Sequence, residues 1–391
     1  MTNHYAVSGS GCGASRERDG GFGGEKGMKK NVSVPFLAII VLVGIGLGGL
    51  IYYSPAFFVQ RETTPKVVHL QTGGTSVAAA ILENRWRRLY RDEKGVEVDY
   101  DSTGSTQGVQ QMIDGKYAVG FTHAALTDEL KKTAMAKGGE VLHIPVVICA
   151  VVPIYHVDEL MDKSPLNFTG EVLADIYLGK IKKWNDPALK RLNENVELPD
   201  TDISVIHRED SSGTTFIFTD YLHGASETWR NEVGAPGNKI KWPAGVGKPR
   251  NVGVADHVHR TNGAIGYVDL IFAGYGQLQY GAVQNKDRTA FIHADAENMT
   301  AALKGHLSDI TDDLTFSLTN KSGKDAYPIC GCVWAVCYKA QPASNAKHVS
   351  EFLHWITHDG QQFAKEMTYA PLPDELVRRV DESLKTIKTV Q

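Results

Sequence analysis

From Lys66 onward the chain alternates between short apolar runs and longer stretches with a helical repeat. VVHLQ (67–71) reads as a strand. Ser76 to Asp92 then sets Ile81, Leu82, Trp86, Leu89 and Tyr90 along one stripe, which predicts an amphipathic helix. Strand VEVDY (96–100), a helix over Thr106–Asp114, strand YAVGF (117–121) and a helix over Thr127–Lys137 continue the alternation. IPVVICAVVPIY (144–155) lacks any polar alternation, so it predicts a strand buried on both faces, as in a parallel sheet. The segment 156–323 carries ISVIH (203–207), a helix from Thr214 to His223, and AIGYVDLIFA (264–273). The chain then returns to an apolar strand, CVWAVCYK (332–339). A helix from Ala346 to His358 follows, with Val349, Phe352, Leu353 and Ile356 on one face. Such alternation predicts an α/β sheet.

The N-terminal part follows neither pattern. Residues 1–33 are rich in Gly, Ser and mixed charge and have too few apolar residues to bury a core, which predicts a disordered cytoplasmic tail. Val34 to Tyr53 is a run of twenty residues without a charge. At about 1.5 Å per residue such a run spans a bilayer core of about 30 Å. Lys29 and Lys30 precede it and place the N-terminal side in the cytoplasm, so the remainder is exported. Two readings fit residues 34–53: an uncleaved transmembrane anchor or a signal sequence. The length of the run and the bulky residues after it (Tyr52, Tyr53, Phe57, Phe58) favour the anchor. Met28-Lys29-Lys30 also resembles the start of a targeting sequence. Residues 54–65 read as a linker.

Composition narrows the classes. With 391 residues, 42% hydrophobic and 22% charged, two domains are expected. A net charge of −4 argues against a nucleic-acid partner, which needs a concentrated basic surface. Of five cysteines, Cys149, Cys332 and Cys337 sit in apolar strand-like runs, where Cys acts as a small buried hydrophobe. Cys330-Gly-Cys332 has no His or Cys companion at a zinc-like spacing.

Three loops carry the candidate chemistry. They are Thr72-Gly73-Gly74-Thr75-Ser76, Ser102-Thr103-Gly104-Ser105-Thr106 and Asp210-Ser211-Ser212-Gly213-Thr214-Thr215. Each lies between a strand and a helix. Helix N-termini expose unpaired amides and partial positive charge, glycine permits close approach, and hydroxyls add donors. One such loop alone reads as a plain cap. Three, with Arg208 just before the last, can surround a small tetrahedral oxyanion. No G-x-x-x-x-G-K-[ST] loop, no G-x-S-x-G elbow and no triad is present, so the chain reads as a binder and not an enzyme. No catalytic residue, metal or cofactor is expected.

Four segments resemble the signature stretches of the PstS-type phosphate-binding proteins of ABC phosphate transporters. They are DIYLGKIKKWNDP (175–187), HREDSSGTTFIFTDYL (207–222), KWPAGVGK (241–248) and GAIGYVDLIFA (263–273). The similarity runs from about Lys66 to the C-terminus. It implies a two-lobed periplasmic-binding-protein fold (type II-like) that closes on phosphate at the cleft between lobes. Lobe one would be 66–150 with 325–391, and lobe two 151–324. The implied function is extracytoplasmic capture of inorganic phosphate for ABC permease subunits in the membrane, with attachment through residues 34–53. A cleaved periplasmic form, a membrane-anchored oxyanion sensor and a binder with relaxed phosphate/sulfate selectivity are the alternatives.

The resemblance also implies ligand residues. Arg208 would hold the anion with Asp210 in support. Ser212, Gly213 and Thr214 would donate from the third loop and Ser105 from the second. Thr75, Ser76 and the Val77 amide would donate from the first, which departs from the family pattern and leaves open which hydroxyl points inward. His123, in FTHAAL, stands where the family usually has an Asp that accepts the proton of hydrogen phosphate. A neutral imidazole accepts one hydrogen bond, whereas a protonated one donates. The substitution therefore implies weaker rejection of sulfate below about pH 6.5, the ordinary imidazole range.

Overall fold

The computed structural model describes residues 67–390. The tail, the apolar run 34–53 and Cys12 lie outside the described residues. Among the described residues no helix is long and apolar enough to cross a membrane.

The described residues belong to one compact unit. Its framework is a nine-stranded mixed sheet. Across the sheet the order is Val96–Asp101, Val68–Gly74, Val119–Thr122, Cys330–Tyr338, Val141–His156, Ala264–Asp269, Ser204–Arg208 and Val246–Lys248. Gln279–Tyr280 also pairs with the Val141–His156 strand. In chain order we label Val68–Gly74 β1, Val96–Asp101 β2, Val119–Thr122 β3 and Val141–His156 β4.

β1 runs parallel to both β2 and β3. At the other end, Ser204–Arg208 runs parallel to both Ala264–Asp269 and Val246–Lys248. β4 joins these two parallel groups. Its residues up to Ala150 pair with Cys330–Tyr338, and from Val151 onward they pair with Ala264–Asp269. The two parallel groups are thus threaded on one 16-residue strand.

β4 is buried on both faces from His143 to Tyr155, matching its unbroken apolar run. It is antiparallel to both principal neighbours, however, and not part of a parallel array. Burial on two faces reports coverage by other layers; it does not report strand direction. Pro145 has no N–H to donate, and the ladder slips there, with Val333 opposite Val147 but Trp334 opposite Pro145.

The predicted helix after β1 runs from Ser76 to Lys94, with a π-helical stretch at Leu82–Trp86. Ile81, Leu82, Trp86 and Tyr90 bury their side chains as the stripe predicted, and Leu89 lies half-buried at its margin. The Trp86 indole donates to the Gly360 carbonyl at 2.9 Å, tying this helix to the C-terminal segment. Cys149, Cys330, Cys332 and Cys337 are buried free thiols.

Candidate functional site

The C-terminal ends of β1, β2 and β3 and that of Ser204–Arg208 bring their loops together, the usual place for a ligand in an α/β sheet. A cavity of about 430 Å³ opens there. Thr75, Ser76, Ser105, Arg208, Asp210, Ser212, Gly213 and Thr214 all line it, as do Gln107 and Arg250.

Local sequence explains how each loop turns inward. Gly74 has φ +143, and a Cβ there would sit 2.1 Å from the Phe121 carbonyl, so only glycine lets β1 end against β3. Thr75 then caps the following helix, its hydroxyl accepting from the Val77 amide at 3.3 Å. In the second loop, Gly104 (φ +91) precedes the helix Ser105–Ile113 and offers no side-chain cap. The first amides of that helix therefore keep their donors free for a ligand. In the third loop, Ser212 caps the helix Gly213–Ala225 by accepting from the Thr215 amide. The Gly213 and Thr214 amides precede that bond, and both residues line the cavity.

Arg208 ends its strand almost fully buried. Its Nε donates to Asp210 Oδ1 at 2.8 Å and its Nη2 to Asp210 Oδ2 at 2.6 Å. The Tyr267 hydroxyl accepts from its backbone amide at 3.2 Å. Burial alone would raise the Asp210 pKa, but the hydrogen bonds and charge of Arg208 hold it below the ordinary value. Asp210 is therefore a carboxylate already spent on Arg208. It is the only acidic residue among those lining the cavity.

Among the residues lining the cavity, two buried donors have no protein partner: Arg208 Nη1 and Ser105 Oγ. Leaving such groups unpaired costs about 1–3 kcal/mol each, more when charged, so the arrangement is complete only with an acceptor in the cavity.

The family model for the PBP superfamily domain matches residues 59–359. The phosphate-binding protein PstS of Pasteurella multocida is 37% identical over 303 residues, covering 77% of this chain and 86% of its own. The chain belongs to the PstS family. Among solved structures, the high affinity periplasmic phosphate-binding protein PfluDING, bound with phosphate, superposes with a TM-score of 0.65. It is 16% identical and covers 81% of this chain and 94% of its own. An ABC-type phosphate transport receptor from Vibrio cholerae gives a TM-score of 0.50 at 16% identity, over 78% of this chain and 100% of its own. At these identities the structural likeness is one of fold.

Two residues of this PstS-family chain stand differently from the sequence expectation. The Val77 amide is consumed by the Thr75 cap, and Val77 does not line the cavity. His123 sits behind the cavity wall and faces a neighbouring hollow with Cys330 and Cys332. One ring nitrogen, Nδ1, lies 3.0 Å from the Thr75 hydroxyl, while Nε2 is buried without a partner. A ring nitrogen of His123 also lies within 4.8 Å of the Cys149 thiol and the Asp269 carboxylate. Burial pushes the Asp269 carboxyl up to about 7.

The expected protonation of His123 near pH 6.5 is corrected by this setting. Burial first, and the charge of Arg208 second, lower its pKa to about 3. The imidazole is neutral throughout the physiological range.

Asn251 escaped the sequence reading. It is fully buried, and its Nδ2 donates to Ser76 Oγ at 3.3 Å and to Thr214 Oγ1 at 3.4 Å. It thereby ties the first loop to the third. Arg250 beside it has φ +59, and its amide donates to Asp210 Oδ1 at 3.0 Å. The signal available was Pro249, which marks the start of the helix Arg250–His259.

Proposed function

We propose that this chain captures inorganic phosphate in the cavity between its loops and presents it to an ABC-type importer. The observation that carries the reading is the pair of unpartnered buried donors, Arg208 Nη1 and Ser105 Oγ, beside two helix N-termini. A tetrahedral anion is the acceptor that geometry asks for, because its oxygens diverge toward separate donors. The names of the PstS relatives and of the phosphate-bound structural neighbour support the same ligand. Thr75, Ser76, Ser105, Arg208, Ser212, Gly213 and Thr214 are the proposed ligand residues, with Asp210 orienting the guanidinium. His123 acts from behind, by holding Thr75. The reading is capture without chemistry. Residues 34–53 would hold the protein at the outer side of the cytoplasmic membrane, and 66–150 with 325–391 would form one lobe against 151–324.

A second reading concerns selectivity. The only carboxylate lining the cavity is engaged by Arg208, so no free one is present to repel a fully ionised anion. Sulfate should therefore compete with phosphate.

Calorimetric titration of the full chain with phosphate, arsenate and sulfate tests both. Phosphate should bind at one site per chain, and Arg208→Ala should lose at least about 100-fold, in line with a buried charge-assisted contact. Absence of phosphate binding would end the receptor reading. Absence of sulfate competition would end the selectivity reading alone.

A further inference from the structure

Two histidines close the helix Ala346–Thr357. His354 lies in its last turn, and His358 follows as its C-cap. Their imidazoles stack with centroids 3.9 Å apart and planes inclined by 7°. Asp381 comes from the neighbouring helix Asp374–Leu384. Its Oδ1 lies 3.4 Å from His358 Nε2 and 4.0 Å from His354 Nε2. All three side chains are partly open to solvent. His354 and Asp381 line an open groove that shares no residue with the anion cavity.

Hydrogen bonding fixes the tautomer of His358. Its Nδ1 lies 2.9 Å from the His354 carbonyl, which can only accept. Nδ1 therefore carries a proton, and the neutral ring turns its Nε2 lone pair toward Asp381. Metal-binding histidines show this same pattern, with one nitrogen donating outward and the other free to ligate.

A lone pair facing a carboxylate oxygen is satisfied by a cation between them, either a proton on Nε2 or a metal ion. Of the cations that line the groove, Lys385 and Arg379 are engaged elsewhere, and Arg378 makes no ion pair with Asp381. Lys385 pairs with Glu382 at 2.6 Å, and Arg379 donates to the carbonyls of Ile310 and Thr311. Among the described residues no Lys or Arg pairs with Asp381.

The spacing decides which cation. Tetrahedral Zn²⁺ has bonds of about 2.0–2.2 Å to nitrogen and oxygen, which sets its ligand atoms roughly 3.3–3.5 Å apart. The His358–Asp381 separation already has that value, while His354, stacked on His358, has to turn out of the stack before both lone pairs reach one ion. Two imidazoles and one carboxylate form a borderline donor set that suits zinc, nickel and copper over magnesium or calcium.

We propose that His354, His358 and Asp381 bind one divalent transition-metal ion of the zinc class, with water completing its shell. The ion braces the helix Asp374–Leu384 against the end of Ala346–Thr357, far from the phosphate cavity in function as well as in lining. No other group on the two helices offers this spacing among the described residues.

The test is titration of Zn²⁺ into the full chain, stripped of metal and returned to chelator-free buffer, with Ni²⁺, Cu²⁺ and Mg²⁺ in parallel. One equivalent of Zn²⁺ should bind, Cu²⁺ more tightly, and Mg²⁺ not measurably. Zn²⁺ should raise the midpoint of thermal unfolding. His358→Ala and Asp381→Asn should each weaken Zn²⁺ binding by about ten-fold or more and remove the thermal shift, with phosphate affinity unchanged. Equal Zn²⁺ binding by the wild type and a His354→Ala/His358→Ala variant would overturn the proposal, as would no binding at all. Neither outcome bears on the phosphate reading, which is measured in the same samples.

Discussion

The Thr106 hydroxyl lies 2.7 Å from the Ser211 hydroxyl, joining the second loop to the third beside residues that line the anion cavity. Asn238 Nδ2 reaches the same Thr106 oxygen at 3.4 Å. Both contacts bridge the second and third loops, so they should act on ligand escape more than on ligand arrival. Thr106→Val and Ser211→Ala should each speed phosphate release about five-fold, the equivalent of a net hydrogen bond of about 1 kcal/mol. The double variant should be no faster than the faster single one, because both remove the same contact. Stopped-flow displacement of bound phosphate reads this directly, and fully multiplicative rates would show that the two hydroxyls act separately.

Gly213 is closely packed between the second-loop serine and His123. A Cβ there would lie 2.5 Å from His123 Cβ and Nδ1 and 2.7 Å from Ser105 Oγ. Its φ is not in the left-handed region, so alanine is excluded by space and not by backbone strain. Gly213→Ala should weaken phosphate binding by about ten- to a hundred-fold, the range of a 1–3 kcal/mol overpacking penalty. Gly224→Ala in the same helix is the control, since its nearest neighbour is 3.6 Å away. Calorimetry on both variants separates a site effect from a helix effect; equal loss in the two would remove the packing argument.

These contacts also mark where the sequence speaks and where it does not. The strand–helix alternation is a local property, so the strands and helices around the site could be read from periodicity. The three loops could be read for the same reason, because Gly104, Ser105, Ser212 and Gly213 advertise helix starts. The direction of β4 could not, since its partner Cys330–Tyr338 arrives from a remote part of the chain. Asn251 was equally silent. It resembles any polar residue after a proline, and only packing buries it between Ser76 and Thr214. Val77 misled in the opposite direction: its amide lies where a ligand donor was expected, but the Thr75 hydroxyl claims it first.

Sulfate binding to an Asp269→Asn variant isolates the protonation state of His123, because the neighbouring Asp269 carboxyl, raised to about 7, otherwise titrates in the same range. Sulfate itself does not titrate near neutrality. His123 remains neutral because burial and Arg208 hold its pKa near 3. Sulfate affinity should therefore stay level between about pH 8 and about pH 5. Calorimetric titrations at four or five pH values suffice. A rise as pH falls through about 6.5, the ordinary imidazole value, would mean that His123 gains a proton and draws the anion.

The same burial has a cost in acid. The unfolded chain binds a proton at His123 near pH 6.5, whereas the folded chain refuses it until about pH 3. A depressed folded pKa on a histidine means that its stabilising share is full above about 6.5 and declines as pH falls toward the folded value. The decline is about 1.4 kcal/mol per pH unit for one group. His143, held down to about 4 chiefly by burial, acts with the same sign. Asp269, raised to about 7, acts with the opposite sign, since protonation below that value relieves its burial. The wild-type curve is therefore a sum, and the informative quantity is the difference between wild type and His123→Gln. Urea unfolding between pH 7 and pH 4.5 should give curves that converge as pH falls, by about one proton's worth of slope. Parallel curves would show that His123 is protonated in the folded state, and the neutral imidazole behind Thr75 would have to be abandoned.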